Sequence, residues 1–365
     1  MIRRVILILL MLVLILAAGM VTAIFIFRHP TPLEFQQATT GEPVRLPRDE
    51  AVHFDAQTEW WYYTGFLDGE DGQQYGFELV FFKAYVPPEV RLGSVLPLMV
   101  LNNPIYFAHF AISDQAAKEH VFSERTNFLK FWDAGASEGH FDVWNGDWRA
   151  WNDDGETYLE AEGGRYRLRL ALGARMSPAL HGPEGAGVVE MGRAGTSYYY
   201  SQPDLTGAGF LYVDGERQTV HATAWMDHQW GSWQAHHGFT GWDWFSLRLD
   251  DGSSVMLFDF RDEDGSIQPG SDGTWIAADG STEHLAGEDF AIVALEHWTS
   301  PDTGATYPVK WRVAVPDYGL DAIVEATFPE QEMPIQFGPI YWEGTVAVSG
   351  TVTGAGFVEM TGYAK

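Results

Sequence analysis

The 365-residue chain contains no cysteine. Disulfides, thiolate metal sites, a cysteine nucleophile and a lipid anchor on an N-terminal cysteine are therefore excluded. Cations are scarce as well: Lys and Arg number 22 against 50 Asp and Glu, a net charge of −28. The strong negative charge, without a basic cluster, disfavours nucleic acid and anionic membrane surfaces as partners. No Gly-x-Ser-x-Gly elbow occurs, and Ser201, Ser232 and Ser246 have no base partner identifiable in the sequence. A phosphate-cradling Gly loop and a His-Glu-x-x-His pattern are also lacking. His221, His228, His236 and His237 follow no familiar ligand spacing, so neither a metal nor any other cofactor is expected. No pair of carboxylates stands out for glycoside hydrolysis.

What the chain does have is aromatic mass and one long apolar run. Its 15 Trp, 15 Tyr and 23 Phe are far too many for a disordered chain. After Arg3 and Arg4, residues 5–27 carry no charge. As a helix this stretch is long enough to cross a bilayer, and no polar face interrupts it at any period. Residues 1–28 are read as a signal anchor, with a cleaved signal peptide ending at Val21-Thr22-Ala23 as the alternative. Arg3 and Arg4 stay inside, so the rest of the molecule is expected outside the cytoplasm, in the periplasm, tethered to the inner membrane. Residues 29–48, rich in proline, form the tether.

From there on helical patterns are scarce and alternating segments frequent. Residues 166–172 and 309–315 place apolar side chains at every second position. Turn signals recur at Asp68-Gly69, Asp71-Gly72, Asp154-Gly155, Asp214-Gly215, Asp251-Gly252 and Asp264-Gly265. The expectation is an all-β protein of antiparallel barrel or sandwich type. Trp61 to Gly69 lines up with Trp244 to Gly252, a shift of about half the exported chain. Two related β domains follow, residues 49–234 and 235–365.

The densest chemical constellation runs from Trp225 through Asp227, His228 and Trp230 to Trp233, followed by His236, His237, Trp242 and Trp244. A carboxylic acid among indoles has a raised pKa and can keep a proton to donate. The same residues would equally serve as a structural corner that ties down a strand end. Glu59-Trp60-Trp61-Tyr62-Tyr63, Tyr198-Tyr199-Tyr200 and Tyr341-Trp342-Glu343 put rings on both faces of their strands. One face is ordinary core, and the second is expected to line a cavity for a large apolar ligand.

Five stretches in this order carry a family resemblance: Glu59-Trp60-Trp61-Tyr62, Asp227-His228-Gln229-Trp230-Gly231, Gly241-Trp242-Asp243-Trp244, Tyr341-Trp342-Glu343-Gly344 and the closing Gly356 to Tyr363. The chain resembles the carotenoid 1,2-hydratase and AttH-like proteins, lipocalin-like secreted proteins described as hydrolases, over about residues 45–365. The resemblance implies two lipocalin-like antiparallel β-barrel domains enclosing a ligand cavity. It implies either a hydro-lyase adding water to a C=C bond of an isoprenoid, polyene or lipid-like molecule, or a non-catalytic envelope carrier serving an ABC-type exporter; a secreted hydrolase is the third reading. Carried over by motif, Asp227, His228 and Trp230 become catalytic candidates. Asp259 matches a further acid after the Gly-Trp-Asp-Trp motif, although its neighbours Phe258 and Phe260 stand where hydratases carry a tyrosine. Glu59, Trp60, Trp61, Tyr63, His109, Tyr200, Trp225, Trp242, Trp244, Trp342 and Glu343 are the expected ligand-binding set.

Overall fold

The computed structural model describes residues 35–86, 91–92, 96–97, 103–127, 133–232, 240–262, 264–336 and 338–364. The apolar run at 5–27, the start of the tether, His236 and His237 lie outside the described residues. The described residues contain no helix long and apolar enough to cross a membrane, and their helical segments are short 3-10 turns such as Arg48–Glu50.

The chain folds into two curled antiparallel sheets. The first is built from β1 (Thr58–Gly69), β2 (Gln74–Ala84), β5 (Ile105–Asp114), β6 (Glu119–Thr126), β7 (Ala134–Ala136), β8 (Asp142–Asn145), β9 (Trp148–Asp153), β10 (Glu156–Gly163), β11 (Tyr166–Ala174), β14 (Thr196–Val213) and β15 (Glu216–Gly231). Short β12 (Ala179–Leu180) and β13 (Val188–Glu190) pair with β14, while β3 (Arg91–Leu92) and β4 (Leu96–Pro97) pair only with each other. The strand order is β6-β5-β2-β1-β15-β14-β11-β10-β9-β8-β7. Curling brings the two ends together. Arg125 on β6 bonds to Asp147 and lies 4.6 Å from the centre of the Trp148 ring.

The second sheet comprises β16 (Gly241–Leu249), β17 (Ser254–Arg261), β18 (Asp272–Ile276), β19 (Thr282–Ala286), β20 (Ala291–Thr299), β21 (Thr306–Val315), β22 (Leu320–Ala326), β23 (Glu332–Met333), β24 (Tyr341–Gly350) and β25 (Gly354–Thr361). Its order is β19-β18-β17-β16-β25-β24-β22-β21-β20, with β23 against β24. In each sheet the first long strand pairs with the second and with the last: β1 with β2 and β15, β16 with β17 and β25. The internal echo thus marks two strands with the same place in their sheets. Its register is off by one, because Trp61 points into the first barrel while Trp244 faces outward between the barrels. A one-residue slip exchanges the two faces of a strand.

The expected alternation over 166–172 and 309–315 is present in β11 and β21. Asp154-Gly155 and Asp214-Gly215 turn with φ of 49° and 81°, and 51° and 85°, the left-handed pair that two-residue hairpins need. Asp68-Gly69 does not turn. β1 runs on through Gly69, which pairs with Val220, and the chain reverses at Asp71-Gly72.

Alternation gives the molecule three apolar layers rather than two. One core fills the first barrel around Trp61, Tyr63, Phe77, Phe81, Phe110 and Trp148. A second fills the other barrel around Phe245, Trp311, Trp342 and Val358. The third holds the barrels together: Tyr62, Val80, Tyr199 and Trp225 from the first sheet meet Trp244, Met256, Phe258, Phe260 and Phe357 from the second. Burying each such side chain contributes about 1.5–3 kcal/mol. The barrels approach so closely at Gly76 that a Cβ there would sit 2.3 Å from Thr345 Cγ2.

Candidate active site between the barrels

Asp227 and His228 are neighbours in the chain and occupy opposite faces of β15. Successive side chains of a strand point to opposite sides. His228 therefore enters the first barrel with Trp61 and Trp230, whereas Asp227 faces the second sheet beside Trp225 and Trp244.

Asp227 is buried and takes three hydrogen bonds. Tyr199 Oη donates to Oδ2 at 2.8 Å, Trp225 Nε1 donates to Oδ1 at 2.7 Å, and the Ser201 hydroxyl bonds Oδ1. Trp244 Nε1 in turn donates to Tyr199 Oη at 2.9 Å, so the second barrel orients the tyrosine that holds the acid. Burial pushes the Asp227 carboxyl up to about 7, against the pull of Ser201, Trp225 and Tyr199. Ser201 also meets His181 Nε2 at 2.6 Å, and His181 Nδ1 meets Thr274 Oγ1 on β18 at 2.8 Å. Burial pushes His181 down to about 3, so its imidazole is neutral. Asp227, Ser201, His181 and Thr274 form a continuous hydrogen-bonded line along which a proton can pass.

The same face carries further acids. Tyr62 Oη donates to Glu343 Oε1 at 2.6 Å, and Tyr341 Oη donates to Glu78 Oε1 at 3.0 Å. Burial raises Glu78 and Glu359 to about 8 and Glu343 well above the ordinary carboxylate range. Neighbouring negative charge adds to the rise: Glu359 acts on Glu78, both act on Glu343, and Asp227 acts on Glu359. The inter-barrel face is thus a row of carboxylic acids that keep their protons near neutral pH, set among phenols and indoles. A buried neutral acid is a proton donor, and electron-rich rings stabilise a developing cation by about 0.5–2 kcal/mol each.

The inside of the first barrel has the opposite character. Glu59 is fully buried and takes His228 Nε2 at 2.9 Å, His53 Nδ1 at 2.8 Å, the His53 backbone N–H at 3.0 Å and the Lys83 ammonium at 2.9 Å. Burial alone would raise this carboxyl, but the His228 and His53 hydrogen bonds and the Lys83 charge together hold it well below the usual range. Trp230 stacks on His53 at 4.0 Å, and Trp61 stacks on His228 at 5.0 Å. His53, Glu59 and His228 offer ligand atoms close enough together for a metal ion. The donor set does not fit one, because Glu59 Oε1 is shared by both imidazoles and Oε2 is paired to Lys83. The ammonium already supplies the positive charge. The adjoining opening at the barrel mouth, lined by Arg48, Asp49, His53, Tyr198 and Trp230 among others, measures about 90 Å³.

The residues singled out from sequence thus divide among three places. Trp60, His109, Trp225, Asp227, Trp242, Trp244 and Glu343 lie on strand faces turned towards the other barrel. Glu59, Trp61, Tyr63, Tyr200, His228 and Trp230 sit inside the first barrel. Trp342 packs in the second barrel, and Asp259 is there too, cross-strand from Asp243 and on the opposite face from Phe258 and Phe260. Burial and the Asp243 charge push Asp259 up to about 6. Asp227 and Asp259 therefore face different compartments and are not brought together. Sequence reasoning named Tyr62, Tyr199 and Tyr341 only within aromatic stretches and Ser201 only as a serine without a base, and it did not single out Glu78, His181 or Glu359, nor His53 and Lys83 inside the barrel. For Tyr62 and Tyr199 the signal was present: each alternates with flanking residues that face the barrel interior. Glu78, His181 and Lys83 sit in unremarkable strands or loops and are identified only by pairing register.

The sequence matches the AttH-like family over residues 37–363. The dehydratase asqC of Emericella nidulans is 31% identical over 164 residues, which is 43% of this chain and 44% of that protein. The chain therefore spans less than half the length of this curated relative. A crystal structure of an AttH-type protein from Nitrosomonas europaea, 29% identical, superposes with a TM-score of 0.80 over 90% of this chain and 100% of that one. Kievitone hydratase from Nectria haematococca, 16% identical, has the same fold, with a TM-score of 0.69 over 90% of this chain and 97% of its own. With its two-barrel architecture and a family match spanning almost all of the described residues, the chain belongs to the AttH-like family.

Proposed function

We propose that the protein is a hydro-lyase, adding water to or removing it from an apolar substrate held between the barrels, with Asp227 as the proton donor. The observation that carries this reading is Asp227 itself: a buried acid, raised to about 7, beneath Tyr199, Trp225 and Trp244. The similarity to a fungal protein named as a dehydratase supports the reaction class. In hydration, the alkene π pair takes the Asp227 proton and forms a C–H bond, leaving a tertiary cation beside the rings. Water bonds to that carbon and gives up a proton, which returns to Asp227. The line through Ser201 and His181 offers the route for that return. Dehydration is the reverse sequence, in which the acid protonates a leaving hydroxyl.

The test is incubation of the purified chain with prenylated phenols and with their tertiary-alcohol hydrates in ¹⁸O-labelled water, followed by mass spectrometry. Turnover adds or removes one water, and Asp227→Asn lowers it by about 10²- to 10⁴-fold, the usual contribution of a positioned acid. Turnover unaffected by Asp227→Asn would sink the assignment. We also place the working part outside the cytoplasm, on the support of the uncharged run at 5–27 after Arg3 and Arg4. Protease treatment of intact spheroplasts should then degrade the barrels, and protection would overturn this placement.

A further inference from the structure

The inter-barrel face has a second polar end. Asp227 on β15 pairs with Tyr62 on β1, Tyr62 with Val80 on β2, and Val80 with His109 on β5. These four residues form one row across the sheet on one face. Three strand spacings separate Asp227 from His109, about 14 Å. Between them lie Tyr62 and Val80, flanked by Trp60, Phe66 and Phe82, all packed into the apolar layer between the barrels.

At the far end His109 is 2% exposed and ringed by Phe82, Phe107 and Phe122 at 5.2–5.8 Å. Its Nδ1 meets Tyr341 Oη at 2.8 Å, and the single Tyr341 proton goes to Glu78. In the tautomer that donates from Nδ1 to Tyr341 Oη, Nε2 is left as a bare acceptor. Among the described residues Nε2 has no hydrogen-bond partner, and neither have Glu78 Oε2 and Glu343 Oε2, although both glutamates are 1% exposed. Three buried polar atoms without partners thus lie on this inter-barrel face, and buried polar groups ordinarily have one. Phe122, whose ring packs edge-on against His109 at 5.4 Å, also lines a cleft of about 290 Å³ with Ser123, Glu124, Thr126, Pro334 and Gln336.

We propose that His109, with Glu78 and Glu343, forms a hydroxyl-binding subsite, so that the inter-barrel site takes an elongated apolar molecule bearing a hydroxyl at one end and not a pure hydrocarbon. The ligand O–H donates to His109 Nε2, and its oxygen accepts from the free carboxyl edge of Glu78 or Glu343. Both glutamates keep their protons near neutral pH, which makes them donors to that oxygen. A hydrocarbon would leave all three atoms buried and unpaired, and the site would discriminate against it. The inference rests on the reading of the inter-barrel face as the substrate site, and it names the class of substrate.

The test measures binding, which requires no turnover. The full chain is titrated with farnesol and with farnesyl methyl ether, following tryptophan fluorescence. Farnesol is expected to bind about 10- to 100-fold more tightly, the cost of leaving buried polar atoms unpaired. His109→Phe should remove the preference, and His109→Gln, whose amide oxygen still accepts, should keep part of it. Equal binding of the two probes, binding of neither, or an unchanged preference in His109→Phe overturns the subsite. The hydro-lyase reading fails separately: a retained farnesol preference with turnover indifferent to Asp227→Asn would leave the subsite standing and remove the acid.

Discussion

The two faces of the central strands of the first barrel hold two buried carboxylates treated in opposite ways. On the inner face Glu59 is ionised, with Lys83 and two imidazoles spent on it, and neither Glu59 nor Lys83 has any side-chain exposure. On the outer face Asp227 has only neutral donors and remains protonated up to about 7. In the inner cluster both carboxylate oxygens of Glu59 are paired to a cation or an imidazole. The Asp227 carboxyl has no counter-ion and is set next to phenols and indoles. The second barrel repeats the inner arrangement more loosely. Asp243 is paired with Arg261 at 3.0 Å and with Tyr363 Oη at 3.0 Å, and the guanidinium lies 3.9 Å from the centre of the Tyr363 ring.

Removing the cation breaks this contrast most severely. Lys83→Met leaves the buried Glu59 without its full charge partner and is expected to cost about 3–5 kcal/mol. Urea denaturation followed by tryptophan fluorescence measures this, and a loss below 1 kcal/mol would show that the two imidazoles suffice.

The pH dependence of stability separates the two faces next. Asp227, Glu78 and Glu359 have folded-state values raised above the ordinary carboxylate value. Their contribution is fully present below about pH 4 and is lost as pH rises towards 7 and 8. Glu59 and Asp49 are depressed, so theirs is present at neutral pH and lost as pH falls below 4. Between pH 5 and 7 each raised acid contributes less stability as pH rises, while the buried His109, His120, His181 and His228, whose values are depressed, act in the opposite direction, so the test is the difference between wild type and variant. Asp227→Asn should remove up to about 1.4 kcal/mol per pH unit of that slope, the limit for one proton. Parallel denaturation curves for wild type and Asp227→Asn at pH 5 and pH 7 would contradict the assignment.

Ser201→Ala sharpens the comparison within the outer face. The hydroxyl pulls the Asp227 value down, so without it the alkaline limb of the pH–rate profile should move to higher pH while the rate on the plateau falls. A lower rate with an unmoved limb would make Ser201 a packing residue. The smallest effect is expected at the rim, where Arg248 on β16 meets Asp204 on β14 at 2.6 Å with both side chains about a quarter exposed. Arg248→Ala should cost under about 1 kcal/mol, as partly exposed pairs do. A larger loss would mean that charge at the rim, rather than the apolar layer, holds the barrels together.

Much of this was legible in the chain. Alternation with period two, Asp-Gly turns and the absence of helical patterns were enough for an all-β fold, and the echo of Trp61 in Trp244 identified corresponding strands. Aromatics on consecutive positions, as in Trp60-Trp61-Tyr62-Tyr63, announced strands buried on both faces. The cluster Trp225, Asp227, His228 and Trp230 was visible as a cluster, but not as two sites.

Composition and local pattern by themselves determined the fold class, the buried aromatic faces and the candidate acid, because strand periodicity and turn chemistry are short-range properties. Only the tertiary structure decided which carboxylates stay ionised. That choice depends on what stands across the sheet and across the barrel interface: Lys83 reaches Glu59 through the pairing of β1 with β2, and Trp244 reaches Tyr199 through the packing of one barrel on the other. Cross-strand register and inter-barrel contact join residues tens to hundreds of positions apart, and no window of sequence contains both partners.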